Sequence, residues 1–393
     1  MKVLCVFGEH QYGDPSRGLS TEFAAFVPAL RQLGHEVRHF ESWNRGMYRD
    51  LAELNAKLLQ AVDEFRPDIM LTVQMFFELW LETLDIIRAR ADVATVSWTT
   101  DDSWKYREVS RFIGHSYDAM TTTYDYVLPR YHADGIQSVL LTQWAVSSDW
   151  LSDPRPAREC RYPVSFVGAA HGDRPGIISR LRAQGIDVAC FGHGWPNGSV
   201  AAEDIPRIMR DSAISLNFAN SKGNDQIKAR TFEVPGAGGF LLTAGAPGLE
   251  RFFVPGKEIA VFDGMTVLAD SIRHFLAHQD ERDMIALAGN RRVRNEHTYE
   301  HRMAQVLEFA RASKPRDVTR QITPSFDEIR QSHRLTPLSQ GLRIVLLGLC
   351  RIVFGPERGP RAARRLVFEL SWRIAGRRTF SAAGWPGRLF PHD

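Results

Sequence analysis

The chain has 393 residues, 44% hydrophobic and 24% charged, with a formal net charge of +3. That composition suits a soluble globular protein with room for two domains, each able to bury a core, and so small a net charge gives no ground for a nucleic-acid partner. The charge is uneven: from Lys314 onward 15 Lys+Arg stand against 6 Asp+Glu, a basic tail on a mildly acidic body.

Strands alternate with helices along the chain, which implies parallel sheets. An apolar strand at 2–7 is followed by a helix at 21–33, with Phe23, Phe26, Val27, Leu30 and Leu33 on one face. A strand at 36–40 leads to a helix aligning Leu51, Leu54, Leu58, Leu59 and Val62. Strands at 68–73, 93–99, 119–123 and 138–141 complete a first Rossmann-like domain, 1–150. Pro154, Pro156 and Pro163 interrupt the pattern, so 151–163 reads as a linker. A second Rossmann-like domain, 164–313, has strands at 164–167, 187–191, 213–218, 240–243 and 258–262. Its helices fall at 176–184, 205–211 and 226–234, then around Leu268, Ile272 and Phe275, with two more to about residue 312. The predicted class is therefore α/β, two tandem Rossmann-like domains facing a cleft. Ligands of such sheets bind outside the carboxyl ends of the strands.

The tail, 314–393, holds two helical candidates. The run 342–354 is apolar nearly all round, is short for a bilayer and carries Arg351. Residues 361–377 are amphipathic, with Arg361, Arg365, Glu369, Arg373 and Arg377 in one row and Ala363, Leu366, Val367, Leu370 and Ile374 opposite. A basic amphipathic helix suits an anionic membrane surface, so 342–378 is a candidate membrane contact; packing back on the protein and oligomerisation are its other uses. Residues 381–393 read as a poorly ordered end. Cys5, Cys160, Cys190 and Cys350 form no CxxC pair and lie at no metal-ligand spacing from a histidine. With nothing resembling a signal peptide at residues 1–10, a reduced cytoplasm is the expected setting.

The chemistry concentrates in 216–253, LNFANSKGNDQIKARTFEVPGAGGFLLTAGAPGLERFF. A strand ends at Phe218, a polar loop reaches Asp225, and a helix with Lys228, Arg230 and Glu233 runs into a Gly-rich turn at 236–239. A helix N-terminus with two added cations suits a diphosphate. Asp225 and Glu233 are two turns apart and can face one ligand, and a carboxylate can accept two hydroxyls of a ribose or hexose.

These residues resemble the bacterial spore-maturation-type glycosyltransferases, which are similar to the group 1 glycosyltransferases of the GT-B fold. The matching pieces are SFVGAAHGDRPGII, CFGHGW, ISLNFA, KARTFEVPGAGGFLLT, PGKEIAVF and EHTYEHR, in that order. The resemblance covers 162–307 well and the first half loosely. It implies a nucleotide-sugar donor in the second domain and an acceptor in the first. The wider group carries Glu-x7-Glu, the first acid near the donor sugar and the second on the ribose. Here the positions hold Asp225 and Glu233, a departure at the first. The correspondence implies retention of anomeric configuration. It also makes Gly168 and Arg174 the diphosphate-side loop, Gly192, Gly194 and Trp195 the base-side loop, and Gly236 part of the donor site. Transferases of this build need no metal, so no cofactor is expected; their helix dipole and basic side chains serve the leaving diphosphate.

In the first domain, His10 lies in the polar loop GEHQYGDPSRG after the first strand, where an imidazole can bind or deprotonate an acceptor. Asp101 and Asp102 follow the fourth strand in WTTDDSW, and the resembling family shows a similar acid pair there. Plain structural uses stand beside all of these. Asp225, Asp101 or Asp102 can cap a helix. Lys228, Arg230, Glu233, Arg174 and His10 can be surface groups. Trp195 can be packing, and the glycines at 236–239 can end a helix.

The leading expectation is a cytoplasmic glycosyltransferase, peripheral at the inner face of the cell membrane, that moves a sugar to a glycan, lipid-linked or protein acceptor. A nucleotide-sugar epimerase or phosphorylase, or a non-catalytic, membrane-recruited nucleotide-sugar-binding protein, would use the same architecture.

Overall fold

A computed structural model of the chain describes residues 1–90, 92–218, 226–315 and 325–391. Its contacts divide the chain into two units, Met1–Thr142 with Met303–Asp393, and Gln143–Arg302.

The first unit is built on a parallel sheet of six strands, β1 (Lys2–Val6), β2 (Glu36–Phe40), β3 (Ile69–Thr72), β4 (Ala94–Trp98), β5 (Ala119–Thr122) and β6 (Val139–Leu141), in the order β2-β1-β3-β4-β5-β6. Both faces of a parallel sheet are covered, which is why β3, β4 and β5 are buried at every residue and carry no charged side chain. The edge strand β2 is half-exposed and carries Glu36, Arg38 and His39. Three helices follow strands: α1 (Thr21–Gln32), α2 (Leu51–Phe65) and α3 (Leu81–Arg88). Ser20 caps α1 by accepting the Phe23 amide at 3.0 Å, and its own hydroxyl donates to the Gly8 carbonyl at 2.6 Å. The helix start is thereby tied to the loop after β1.

The second unit repeats the plan with five parallel strands, β7 (Tyr162–Val167), β8 (Ala189–Phe191), β9 (Ser212–Asn217), β10 (Leu241–Ala244) and β11 (Ala260–Phe262), ordered β11-β10-β9-β7-β8. Its helices include α4 (Arg174–Ala183), α5 (Arg230–Gly236), α6 (Gly264–Ala277) and α7 (Gln279–Glu296). The helix expected at 226–234 begins later: the first amides to close a turn are those of Thr231 and Phe232, donating to Lys228 and Ala229 at 2.9 Å. Thr231, Val234, Pro235 and Gly236 are weak helix formers, so this segment sustains only seven residues. α8 (Tyr299–Ser313) carries the chain back into the first unit.

The tail is part of the first unit. Helix α9 (Pro337–Ala375) is broken at Gly355, which takes φ 82°, a backbone conformation open mainly to glycine. Beyond the break the second limb doubles back on the first, so closely that a Cβ on Gly359 would meet the Arg351 backbone at 2.7 Å. Cys350, Ala363, Val367, Leu389 and Phe390 make a small core there, while Phe368, Trp372, Phe380 and Ala382 join the main core of the first sheet. The stretch from 381, expected to be loose, is folded as far as it is described, through a helix at Trp385–Leu389, and Phe390 is fully buried. The apolar limb is also longer than 342–354. By length and composition it suffices to cross a membrane, and little of it is covered by protein.

Candidate functional site

In each sheet the strand order reverses at one point, where the loops after two neighbouring strands part and leave a crevice. In the second unit that point lies between β7 and β9. The loop after β7 is laced to the loop after β8: the Gly168 amide donates to Phe191 O and the Ala170 amide to His193 O, both at 2.8 Å. Gly192 has φ 131°, and a Cβ on it would strike the Gly168 carbonyl oxygen at 2.5 Å, so only glycine permits this approach. Gly194, at φ 84°, turns the same loop, and the Trp195 indole N–H donates to Gly168 O at 2.7 Å. Trp195 is half-buried and meets Phe166 edge-on at 6.1 Å. The loop that the sequence assigned to the base is thus pinned to the loop it assigned to the diphosphate.

Arg174 opens α4 and spans the crevice. Its guanidinium donates to Ala169 O at 3.1 Å and to Phe218 O at 3.4 Å, and it lies over the Phe166 ring at 5.2 Å. Its Nε is buried without a partner. Burial, and then the like charge of Arg230, lower its pKa. Two guanidiniums close enough to repel are stabilised by an anion between them. Arg230, the first residue of α5, donates from Nε to Val167 O at 3.2 Å and pairs with the Glu233 carboxylate one turn on. The Glu233 side chain is 11% exposed. Lys228 is half-buried just before α5. Since α5 is so short, the positive charge here comes from these side chains and not from a long helix dipole. Asn217, at the end of β9, holds the arrangement by donating to Thr231 Oγ1 at 3.3 Å and Thr243 Oγ1 at 3.0 Å. Asp225 lies outside the described residues.

Gly236 does not belong to this group. It ends α5 on the side away from the carboxyl edge, where a Cβ would meet Val146 at 2.8 Å and where its carbonyl accepts from Ser152 N and Asn290 Nδ2. Its smallness serves packing.

In the first unit the reversal lies between β1 and β3. Asp101 is exposed and takes the left-handed conformation, φ 56°, as the chain leaves β4. Such backbone is uncommon outside glycine and is concentrated at functional sites. Asp102 behaves differently. It is 1% exposed and accepts from Thr99 Oγ1 at 2.7 Å, Ser110 Oγ at 2.6 Å and Tyr131 OH at 2.8 Å, and burial raises its pKa. Sealed and fully bonded, it holds the helical turn after β4 in place and cannot touch an acceptor, so the expected acid pair reduces to Asp101. His10 is half-buried in the loop after β1, which pairs with itself through His10 and Leu19.

Two residues missed in the sequence belong to this edge. Glu22 is 8% exposed in the first turn of α1, its pKa raised by burial, and it feels both Lys105 and Asp101. Lys105 is 4% exposed, its pKa lowered by burial against the pull of Asp101, Glu78, Glu22 and Asp102. Its ammonium lies over Phe76 at 5.5 Å and Trp104 at 5.7 Å. The only local signal was the four-residue spacing from Asp101 to Lys105. Among the described residues no three His, Cys, Asp or Glu side chains are placed to hold a metal ion.

Residues 174–308 match a family model described as Glycosyl transferase-like. No curated protein sequence matches. Solved structures share the fold. HepE of Anabaena, in complex with UDP, is 12% identical with a TM-score of 0.54, covering 79% of this chain and 100% of its own. Sucrose-phosphate synthase of Thermosynechococcus elongatus is 13% identical with a TM-score of 0.58, covering 79% and 99%. A glycosyltransferase of Rickettsia africae is 12% identical with a TM-score of 0.57, covering 79% and 98%. The fold is therefore that of the GT-B glycosyltransferases, and the matched segment marks the second unit as a glycosyl transferase-like domain.

Proposed function

We propose that the protein is a metal-independent glycosyltransferase that takes a sugar from a nucleotide-sugar donor bound by the second unit and passes it to an acceptor bound by the first. The observation that carries this reading is the convergence of Arg174 and Arg230 at the β7/β9 crevice beside the nearly buried carboxylate of Glu233. Transfer breaks the bond from the anomeric carbon to the diphosphate oxygen and forms one from that carbon to the acceptor's hydroxyl oxygen, whose proton passes to Asp101. Arg174, Lys228 and Arg230 take up the charge that develops on the departing diphosphate. Glu233 accepts the ribose hydroxyls, and the pairing with Arg230 holds that carboxylate in place. Asp225, with seven residues between it and Glu233 as in the wider group, takes the donor sugar, and by the same correspondence the reaction is a retaining one. On the acceptor side Asp101 receives the hydroxyl hydrogen bond, with Glu22, Lys105 and His10 in support.

The tail sets the location. The first limb of α9 leaves Leu338, Ile344, Ile352 and Val353 more than half exposed, and arginines follow on the second limb. An apolar surface next to guanidiniums fits the interface of an anionic bilayer, at about 1 kcal/mol for each basic residue near the surface. This reading makes the protein peripheral at the cytoplasmic face.

Thermal unfolding against UDP, GDP, ADP, CMP and dTDP tests the donor site, with UDP first because the Anabaena neighbour is solved with UDP and with UDP-glucose. A nucleotide at about 100 times its Kd adds roughly 2.7 kcal/mol, or about 5–10 °C. Stabilisation by one nucleotide that Glu233→Ala abolishes supports the reading. No shift with any of the five overturns it, and binding without turnover of any sugar nucleotide makes this a binding protein.

A further inference from the structure

A cavity of about 400 Å³ lies within the first unit, at the carboxyl edge of its sheet. One side is formed by the loops after β1, β2 and β3, which bring Gly13, Trp43 and the segment Met75–Glu78. The other side is the second limb of α9, which brings Arg361, Arg364, Arg365 and Phe368 from the far end of the sequence. The two sides are fitted to each other: Phe368 meets Phe76 edge-on at 5.3 Å and Phe77 at 6.0 Å. On the loop side Gly13 takes φ 73°, and a Cβ there would strike the Trp43 carbonyl at 2.5 Å, so the loop after β1 lies directly on the loop after β2.

The charge of the lining is one-sided. It holds four arginines and one carboxylate, Glu78. Glu78 is already committed, since it accepts the amides of Met75 and Phe76 and faces Arg45 at 4.0 Å. Arg365 is committed too, to Glu108 at 2.9 Å and to Glu369. Arg361 and Arg364 have no carboxylate partner among the described residues, and Arg364 is half-buried. A neutral sugar gives no reason to hold two uncompensated guanidiniums over an aromatic floor; a phosphate does, since each can donate to it through two parallel N–H groups.

We infer that this cavity binds a phosphate ester, the acceptor's own, with Arg361 and Arg364 on the phosphate oxygens and Phe76, Phe77 and Phe368 against its organic part. The inference rests on the transferase reading for the word acceptor, and on the cavity alone for the phosphate. The exposed apolar turn Ile352, Val353 and Phe354 lies just before these arginines in the chain. It favours an ester whose organic part is a lipid chain over a soluble sugar phosphate.

Calorimetry on the full chain separates the cases. Dodecyl phosphate (below its micelle concentration), glucose 6-phosphate and dodecyl maltoside are titrated into wild type, R361A/R364A and R361K/R364K, with UDP in parallel. The expected result is binding of dodecyl phosphate by wild type, weakened about tenfold or more in the alanine pair and largely restored in the lysine pair, with dodecyl maltoside indifferent to all three. Equal affinity of glucose 6-phosphate, with the same loss in the alanine pair, keeps the phosphate site and assigns it a soluble ester. Dodecyl phosphate binding that ignores both substitutions, or no binding by wild type, overturns the inference. Thermal unfolding of the alanine pair that matches wild type shows that the first unit is folded, and preserved UDP affinity shows the same of the second. Wild type that binds dodecyl phosphate and not UDP refutes the donor site while leaving this one standing.

Discussion

The two crevices are built to one plan and furnished in opposite ways. Each lies where a parallel sheet reverses its strand order, after the first strand of its unit. In the second unit the side chains brought there, among the described residues, are Arg174 and Arg230 beside the Glu233 carboxylate. Beside β4 of the first unit they are Glu22 and Asp101 near the buried ammonium of Lys105, apart from the arginine-lined cavity that the second limb of α9 closes over the loops after β1, β2 and β3. Topology decides where a ligand can reach the backbone, and the inserted side chains decide which sign of charge it carries. A cation-lined crevice suits a departing diphosphate, and an acid-lined one suits a hydroxyl that must lose its proton.

Four measurements strain this contrast, three with expected effects of nearly equal size and the last smaller. Arg230→Ala removes one of the two converging guanidiniums and strands Glu233, and nucleotide affinity should fall by on the order of 100-fold in calorimetry. An unchanged affinity would mean that the second crevice is not the anion site. Asp102→Ala should leave nucleotide affinity untouched while unfolding the first unit earlier. It frees the hydroxyls of Thr99, Ser110 and Tyr131 inside the core, at about 3 kcal/mol. A loss of turnover with no loss of stability would return Asp102 to the chemistry.

The third concerns pH. His297 is 4% exposed, with Nε2 3.0 Å from Phe252 O and Nδ1 3.0 Å from an Arg302 nitrogen, which fixes it as the neutral ring. Burial, and then Arg302, lower its pKa to about 4 from 6.5. With the folded value below the unfolded one, the stabilisation is complete above pH 6.5 and disappears as pH falls through 4. It amounts to about 3 kcal/mol, and His297→Gln should flatten that part of a urea-unfolding series run from pH 7 to 4. The smallest effect is expected of Trp195→Phe, which gives up only the bond to Gly168 O, for roughly 1 kcal/mol. A much larger loss of nucleotide affinity in that variant would put the indole on the base itself.

Much of the fold could be read from residue patterns because sheets covered on both faces leave apolar runs with little ambiguity, as in β1 and β3. The start of α5 could not, since Lys228 and Ala229 have helical propensity and the weak formers come after them. The tail was legible as two helices, 342–354 and 361–377, but their doubling back at Gly355 and the docking of Phe368 and Trp372 are tertiary facts. In the second crevice Arg174, Arg230 and Glu233 stood out through their place in a recognisable series of segments. Glu22 and Lys105 did not, because each looks locally like a charged helix residue, and the packing of Phe76 and Trp104 against the ammonium is a tertiary contact.

The interruption of the first unit also sets a timetable. Its sheet is complete at Leu141, yet its core needs Trp372, Phe380 and Ala382. A polypeptide leaves the ribosome from its N-terminus at about 5–20 residues per second, and domains fold as they emerge. The second unit, contiguous from Gln143 to Arg302, therefore has all its parts while the first still lacks its last helices. For roughly ten to fifty seconds at that pace the nascent first unit lacks the tail's share of its core, and holding chaperones would act there.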